Sequence, residues 1–267
     1  MTRAPAHQRE GANVEARQIA PTPRMAAQGA MLEEYRSVAH VLQPETARED
    51  ARRVIIDENV LRRDSIGGRT WVFKKLGLRY YPRTAPRATE AFTRAAQLES
   101  DPAQVALLAY TMVAWQDGLV YLLGSEWLVQ KLRIPDYSAK TADILDELDY
   151  LASSKAPVIG TWGKKTIDSV AAHYLSLLRD CGFATGSLRK EIRSPYVSPE
   201  VVLFGTRLIL GGGESAAAVP QHSLFKVLGL TPGDVIDALT ELHAEGRITF
   251  AVQGNVAHIA LKEAHSN

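Results

Sequence analysis

The sequence predicts a mainly α-helical protein, a helical bundle with helix-turn-helix-like elements and a C-terminal winged-helix-like unit. Apolar residues recur at helical spacing through most of the 267 residues, and proline or glycine bounds these segments. Near the carboxyl end, Ile248, Phe250 and Val252 instead alternate with smaller or polar residues, which is the pattern of a β-hairpin.

The first helices follow a polar tail. Residues 1–28 are rich in Ala, Arg, Gln and Pro and have almost no large apolar side chains, so we expect them to be disordered. Apolar residues from Met31 onward predict a helix that Pro44 closes, and a second helix spans roughly 47–58.

A third helix is predicted from Asp64 or Ser65, either of which can cap it, to Pro82, which ends it. The pair Gly67-Gly68 weakens its first turn by about 1 kcal/mol per glycine relative to alanine. Two adjacent glycines would let another backbone or a phosphate approach closely, and a plain loop explains them equally well.

A long apolar helix is predicted from Pro102 to Leu132. Glu126 falls on its apolar stripe, so we expect it to pair with an arginine of the basic segment described below. The uncharged run before Asp117 has fifteen residues, which is shorter than the ~20 that a membrane span needs. We therefore expect a buried core helix in a cytoplasmic protein without membrane contact.

The rest of the chain continues with a short acidic helix at 141–151, a linker at 153–157 and a helix from Trp162 to Gly182, where Gly182 is a left-handed C-cap. Another helix starts at Ser198-Pro199, and the glycines 211–213 with the alanines after them predict a linker.

Helix, turn, helix and a hairpin that turns at Gly254-Asn255 follow in that order. The predicted units are the tail 1–28, an N-terminal helical domain 29–152, a second helical, helix-turn-helix-like domain 153–213 and the winged-helix-like unit 214–267.

Charge is unevenly distributed along a chain whose net charge is only +1. The segment 52–94 carries eleven Lys or Arg against four carboxylates, and 155–193 carries seven against three. Between them, 95–150 has nine carboxylates and three bases. A concentrated positive field is typical of polyanion binding. The alternatives are a solvated helix face and neutralisation of the basic segments by the acidic one.

No group of residues predicts catalysis, a cofactor or a metal. Gly163-Lys164-Lys165-Thr166 resembles the end of a phosphate-binding loop, but Val158 stands where that motif needs glycine. None of the seven histidines has metal-ligand spacing, and we expect them on the surface. Cys181, the single cysteine, lies on an apolar helix stripe and should be an inert buried thiol.

Four blocks in order resemble the BrxA family of BREX phage-defence systems. They are Asp57-Glu58-Asn59-Val60-Leu61 with Ser65 and Arg79-Tyr80, the apolar helix Leu107–Leu132 with Glu126, Trp162 and Thr166 in the helix that ends at Gly182, and Val197–Leu203. The resemblance covers about residues 30–213. It implies a small, all-helical, DNA-binding accessory of a defence island without known enzymatic activity.

The chain departs from this family in two places. Ile66-Gly-Gly-Arg-Thr70 stands where members often carry a Thr-rich or Ser-Lys-Arg run, and 214–261 is an extension that the resemblance does not explain. Members are also commonly labelled inner membrane proteins, which the interruption by Asp117 contradicts.

The first functional hypothesis is sequence-tolerant binding to the DNA phosphate backbone. It is motivated by the two basic segments and by aromatic residues that are interleaved with their lysines and arginines, namely Trp71, Tyr80, Tyr81 and Trp162. The predicted DNA-binding residues are Arg62, Arg63, Arg69, Lys74, Lys75, Arg79, Lys164 and Lys165.

The second hypothesis is a scaffold that binds other BREX-system proteins. The helix of the winged-helix-like unit that would enter a DNA groove carries Asp234, Asp237, Glu241 and Glu245 and no base. These carboxylates would be repelled by phosphates, so we expect this unit to bind protein instead of DNA. The two hypotheses are compatible.

Overall fold

The computed structural model describes residues 20–23, 29–187, 189–253 and 256–262. Most of the predicted tail 1–28 and the predicted turn Gly254-Asn255 lie outside the described residues. The mainly α prediction is confirmed, as is the hairpin near the carboxyl end.

The first two helices are short, and proline begins two of the three longer helices that follow them. Pro86 and Pro102 occupy first helical positions, where the absent N–H costs no hydrogen bond. A π-helical turn, Arg53–Asp57, extends the second helix. The helices are α1 (Leu32–Ala39), α2 (Ala47–Arg52), α3 (Ile66–Arg79), α4 (Pro86–Leu98) and α5 (Pro102–Gln116).

Helix α4 is an element that the sequence pattern did not predict. Its buried stripe consists mostly of small or polar residues, with Phe92 as its single large apolar member. Periodicity of large apolar residues, which identified the other helices, is therefore weak here.

The helix predicted from Pro102 to Leu132 is wrong as one continuous element. It breaks at Asp117, whose carboxylate Oδ1 accepts hydrogen bonds from the N–H groups of Leu119 (2.8 Å) and Val120 (3.4 Å). This cap starts a new helix, α6 (Gly118–Leu122), which a π-helical turn (Leu123–Leu128) connects to α7 (Val129–Lys131).

Within the described residues, no single helix is both long and apolar enough to cross a membrane. The pair Pro102–Gln116 and Gly118–Lys131 reaches that length and hydropathy together, with a bend of 108° between the two parts.

Glu126 is paired as expected, but not with an arginine of the basic segment. Its Oε2 lies 2.8 Å from Nζ of Lys155. Lys155 follows α8 (Thr141–Ser154) and precedes a 3-10 helix, Pro157–Thr161, so part of the predicted linker is helical.

A small antiparallel sheet in the order β1-β3-β2 was not predicted. It consists of β1 (Ser138–Ala139), β2 (Ala184–Thr185) and β3 (Lys190–Ile192), with Ala139 opposite Lys190 and Ala184 opposite Ile192. Strands β2 and β3 lie between α9 (Lys164–Asp180) and α10 (Pro199–Gly211), where a helix-turn-helix would have a short turn. Gly182, with φ of +85°, is the left-handed residue that the sequence predicted after α9.

The C-terminal unit, residues 214–262, follows the predicted order of helix, turn, helix and hairpin. The alanine run predicted as a linker is a 3-10 helix, Ala216–Gln221, that buries Val219 and Pro220. In the hairpin, Ile248 pairs with Leu261 and Gln253 with Val256. The other elements are α11 (Ser223–Val227), α12 (Pro232–Ala244), β4 (Ile248–Gln253) and β5 (Val256–Leu261).

One apolar core extends across the predicted unit boundaries. Two glycines allow close contact between the C-terminal unit and the helices before it. A Cβ at Gly124 would lie 2.6 Å from Cγ1 of Val227, and one at Gly205 would lie 2.7 Å from Cε1 of Phe225. The described part of the C-terminal unit is therefore packed into the same core as the rest.

Candidate nucleic-acid interface

Helix α3 begins as the sequence predicted and presents one face to solvent. Ser65 is the N-cap, and its Oγ accepts a hydrogen bond from the Gly68 N–H at 3.1 Å. Val72 and Leu76 are buried one helical turn apart. The opposite face, with Trp71 and Lys74, is therefore exposed.

The turn before α3 is held by side-chain hydrogen bonds. The amide of Asn59 accepts from the Arg63 N–H at 2.8 Å and donates to the Arg63 carbonyl at 3.1 Å. Asn59 and Arg62 both have positive φ, at 55° and 49°. Asparagine adopts that region more readily than most residues, and its side chain closes the turn here.

Arg69 stabilises this turn from within the helix. Its guanidinium donates to the carbonyls of Ile56 (Nη1, 3.2 Å) and Arg63 (Nε, 3.3 Å). Two of its donors are thus used inside the protein. The structure gives Arg69 a positioning role in place of the predicted exposed phosphate contact.

Arg79 also differs from its prediction, because it is buried, with 1% of its surface exposed. Burial lowers the pKa of its guanidinium, and the negative charges of Asp117 and Glu34 oppose that shift. Its Nη1 lies 3.4 Å from the Lys75 carbonyl. Arg79 therefore belongs to the interior and not to the solvent face of α3.

The tyrosines that follow α3 are also interior residues. Tyr80 and Tyr81 pack with Tyr35 and Phe92, and the rings of Tyr80 and Phe92 are stacked with centroids 5.1 Å apart. Burial raises the pKa of both Tyr80 and Tyr81. Tyr80 and Tyr81 therefore lie beside the basic residues in sequence only, and in the structure they anchor the carboxyl end of α3 to the core.

Several other bases of the segment 52–94 are neutralised locally. Arg63 Nη2 lies 3.1 Å from Glu34, and Arg52 lies 3.0 Å from Asp57. Arg53 pairs with both Asp50 and Glu58. The alternative interpretation, that carboxylates neutralise the basic segment, therefore holds for these arginines. Their partners are Glu34, Asp50, Asp57 and Glu58, none of which belongs to the acidic segment 95–150.

Three predicted residues remain as exposed or half-exposed cations. Arg62 and Lys74 are exposed and Lys75 is half-buried, and none of them forms an ion pair with another described residue. Lys75 Nζ lies 5.8 Å from the centroid of the Trp71 ring, a cation–π contact. An exposed carboxylate, Asp64, stands at the start of the helix.

Lys164 and Lys165 lie on a different helix, at the start of α9. Both are exposed, and Lys164 pairs with Asp168 at 2.8 Å. His173 lies in the middle of α9. Burial lowers its pKa, the positive charges of Arg79 and Lys75 lower it further, and the Ser169 backbone opposes the shift.

Exposed apolar residues on α3 were missed by sequence reasoning. Ile66 is 68% exposed, Trp71 is 46% exposed and Leu78 is 42% exposed. Helical spacing would have revealed Leu78, since Gly67, Trp71, Lys74 and Leu78 recur every three or four residues, whereas Ile66 in the first turn lies outside this series. We call the exposed set the α3 face, which comprises Arg62, Ile66, Trp71, Lys74, Lys75 and Leu78.

The remaining predictions concern metal ligands, the single cysteine and the histidines. No group of three or more His, Cys, Asp or Glu within the described ranges could hold a metal ion. Cys181 is buried and its pKa is raised by burial, as an inert thiol requires. His222 contradicts the expectation of surface histidines, because it is buried, with Nε2 3.1 Å from Glu214 and Nδ1 accepting from the Leu224 N–H.

Comparison with solved structures gives a fold relative. The chain is similar to a protein of Magnetospirillum magneticum whose crystal structure is described as that of an uncharacterized protein, with a TM-score of 0.57 and 15% identity. The alignment covers 79% of this chain and 98% of that one. At this identity the likeness concerns the fold alone. No curated protein matches.

Comparison with protein families shows to which family the chain belongs. The family model described as BrxA matches residues 22–204, which includes α3 and ends before the C-terminal unit. This range contains all four blocks on which the resemblance rests. The chain belongs to the BrxA family, which associates it with BREX phage defence.

Proposed function

We propose that this protein is a non-catalytic accessory of a BREX-type phage-resistance system that binds DNA through the α3 face. The observation that carries this proposal is the sorting of charges around α3. Most nearby arginines are paired or buried, while Arg62, Lys74 and Lys75 remain exposed or half-exposed without ion pairs to described residues. Cations that lack an internal partner are available to phosphates.

Phosphate contacts carry no direct sequence information. Lysine ammonium groups on flexible stems act as point charges and do not impose a bidentate geometry on a base edge. The side chains of the α3 face therefore favour binding with little sequence specificity.

The salt dependence of binding follows from the number of available cations. Six of the predicted DNA-binding residues lie between positions 62 and 79, but Arg63 is paired, Arg69 is bound to carbonyls and Arg79 is buried. Arg62, Lys74 and Lys75, with Lys165 as a fourth exposed cation, predict a slope of log K against log salt of about −3 to −4.

The proposal is tested by titrating the full-length protein into a short labelled DNA at several salt concentrations. Binding at low salt that weakens with about this slope is expected. Failure to bind any DNA at low salt would refute the proposal, and a slope near zero would mean that phosphates are not the ligand.

A specific observation favours a second function for the C-terminal unit. The three carboxylates of α12, namely Asp234, Asp237 and Glu241, and that of its C-cap residue Glu245 are exposed. Phosphates would be repelled by this surface, so we propose that it contacts basic surfaces of other BREX-system proteins.

The scaffold proposal is tested by co-purification with the neighbouring gene products after nuclease treatment. Retention of a partner that is lost with Asp237→Lys and Glu241→Lys supports the proposal. Loss of all partners with nuclease means that DNA alone joined them.

A further inference from the structure

We propose that the α3 face binds DNA whose bases are unpaired, with Trp71 as the stacking platform. This inference rests on the proposed function, because it names the class of DNA that the same face recognises. The proposed occupant is a single strand or a locally opened duplex. Such a ligand carries negatively charged phosphates and exposes the flat apolar faces of its bases. The α3 face offers cations for the phosphates and apolar side chains for the bases.

The apolar residues of the face are the first step in the argument. Phosphate oxygens gain nothing from Ile66, Trp71 or Leu78, each at least 42% exposed. In a paired duplex the flat faces of the bases are already stacked on one another. Unpaired bases expose those faces, and aromatic side chains bind them without regard to sequence.

The surroundings of Trp71 are the second step. The residues one helical turn before Trp71 are Gly67 and Gly68, toward which a helical side chain leans. Neither glycine has a side chain that could cover the ring. Lys75 Nζ lies 5.8 Å from the ring centroid, and 46% of Trp71 is exposed. The ring thus has a cation beside it for the phosphate and solvent-exposed surface for a base.

The backbone does not require glycine at position 67. A Cβ there would meet only the Oγ of Ser65, at 3.9 Å, and Gly67 does not have a positive φ. Alanine would favour the helix. A larger side chain at position 67, one helical turn before Trp71, would reach toward the ring without a clash at its own Cβ.

The experiment compares three DNAs of the same sequence, namely a single strand, a duplex and a duplex with a central unpaired bubble. Fluorescence anisotropy measures their affinities for the unaltered protein, Trp71→Ala, Trp71→Phe, Gly67→Leu and the double variant Lys74→Glu with Lys75→Glu. Intrinsic tryptophan fluorescence is recorded as well, since stacking quenches an exposed indole. Trp115 and Trp127 are buried and Trp162 is half-buried, so comparison with Trp71→Phe identifies the signal of Trp71.

The proposal predicts tighter binding to the single strand and the bubble than to the duplex. Trp71→Ala should weaken single-strand binding about tenfold, the effect of losing one stacked base, and change duplex binding less than twofold. Trp71→Phe should restore much of the loss. Gly67→Leu should weaken single-strand binding while it leaves the ring in place, which keeps the test valid if Trp71→Ala fails to fold.

Two outcomes separate this inference from the proposed function. If Lys74→Glu with Lys75→Glu abolishes binding while Trp71→Ala affects all three DNAs equally or not at all, stacking is refuted and phosphate binding stands. If the unaltered protein binds none of the DNAs, the proposed function fails and stacking fails with it. A face that instead holds another protein would give that second result.

Discussion

The role of each arginine in the segment 52–94 depends on what surrounds its guanidinium. Arg69 donates to two carbonyls, Arg63 pairs with Glu34 and Arg79 is enclosed by the core. Only residues whose charge remains exposed, such as Arg62 and Lys74, can contribute to a ligand-binding field. At the residue scale, ligand binding therefore depends on the cations that form no ion pair and no buried contact within the described protein.

Arg69→Ala should lower the free energy of unfolding by about 1–3 kcal/mol, because the carbonyls of Ile56 and Arg63 lose charged donors. Denaturation by urea, followed by circular dichroism, measures this. Lys74→Ala is the matched control, since Lys74 is exposed on the same helix and should change stability by less than about 0.5 kcal/mol. Equal effects of the two variants would contradict the positioning role of Arg69.

His222 gives the protein a pH-dependent stability. Burial lowers the pKa of His222, and Glu214 opposes this only in part. An unfolded histidine has a pKa of about 6.5, so the unfolded chain binds the proton more readily. The stabilisation is complete above that pH and is lost as the pH falls below it.

This dependence is tested by unfolding the protein at about pH 7.5 and about pH 5.5. His222→Asn should reduce the difference between the two free energies, because asparagine can still accept the Leu224 N–H as an N-cap but does not titrate. The pKa of His173 is lowered as well, so His173→Asn is the variant with which His222→Asn is compared. An unchanged difference in His222→Asn would exclude His222 as the source.

Residue-level predictions from the sequence succeeded where a helical stripe determined the environment and failed where packing determined it. Cys181 lies on a buried stripe and is buried. Arg79 and Tyr80 lie at the end of a basic helix in sequence, but the chain turns inward there, which buries Arg79 and places Tyr80 against Tyr35 and Phe92. Charge counts along a sequence contain no information on that turn.

At the scale of the element, α3 is packed firmly against the core, but its first turn has a low helix propensity. Val72 and Leu76 are buried on its inner side, and Tyr80 and Tyr81, which directly follow the helix, are buried in the core. Its first turn contains Gly67 and Gly68 and is stabilised by the Ser65 cap. The helix thus presents Trp71 and Lys74 from a fixed position with little side-chain cover around them.

Gly67→Ala should raise the free energy of unfolding by up to about 1 kcal/mol, because alanine favours the helix and its Cβ has space at 3.9 Å from the nearest atom. Gly205→Ala is the contrasting control. Its Cβ would lie 2.7 Å from Phe225 and should destabilise the protein. Melting temperatures of the two variants that shift in the same direction would contradict this reading.

Which elements could be predicted depended on the size of their buried residues. α3, α9, α10 and the hairpin have large apolar stripes or alternation, and the sequence identified them. The stripe of α4 is small and polar, and the strands β1 to β3 are only two or three residues long. The break at Asp117 depends on a cap inside an apolar run, where composition favoured continuity.

At the scale of the whole molecule, the C-terminal unit completes the core. Gly124 contacts Val227, Gly205 contacts Phe225, and the hydroxyl of Tyr121 donates to Ser223. Trp115 lies beside His222. The sequence could suggest that 214–261 lies beyond the family match, but not that it covers helices within the match, because long-range packing leaves no local pattern.

Ending the chain after Gly213 should therefore lower the melting temperature strongly, since apolar surface around Gly124, Leu132 and Gly205 would be uncovered. Differential scanning fluorimetry of the shortened and full-length proteins measures this. Retention of the full melting temperature would mean that the C-terminal unit is an independent domain, as the predicted boundary at 214 implies.

The central claim is that the α3 face, and not the net charge of the protein, binds DNA. The most direct test compares Lys74→Glu with Lys75→Glu against Lys226→Glu with Lys262→Glu, a pair of exposed lysines in the C-terminal unit that changes the net charge equally. DNA affinity is measured at one fixed salt concentration for folded proteins. We predict a loss of at least about tenfold, or about 1.4 kcal/mol, for the first pair and less than about threefold for the second. Equal losses, or a larger loss for the second pair, would contradict the claim.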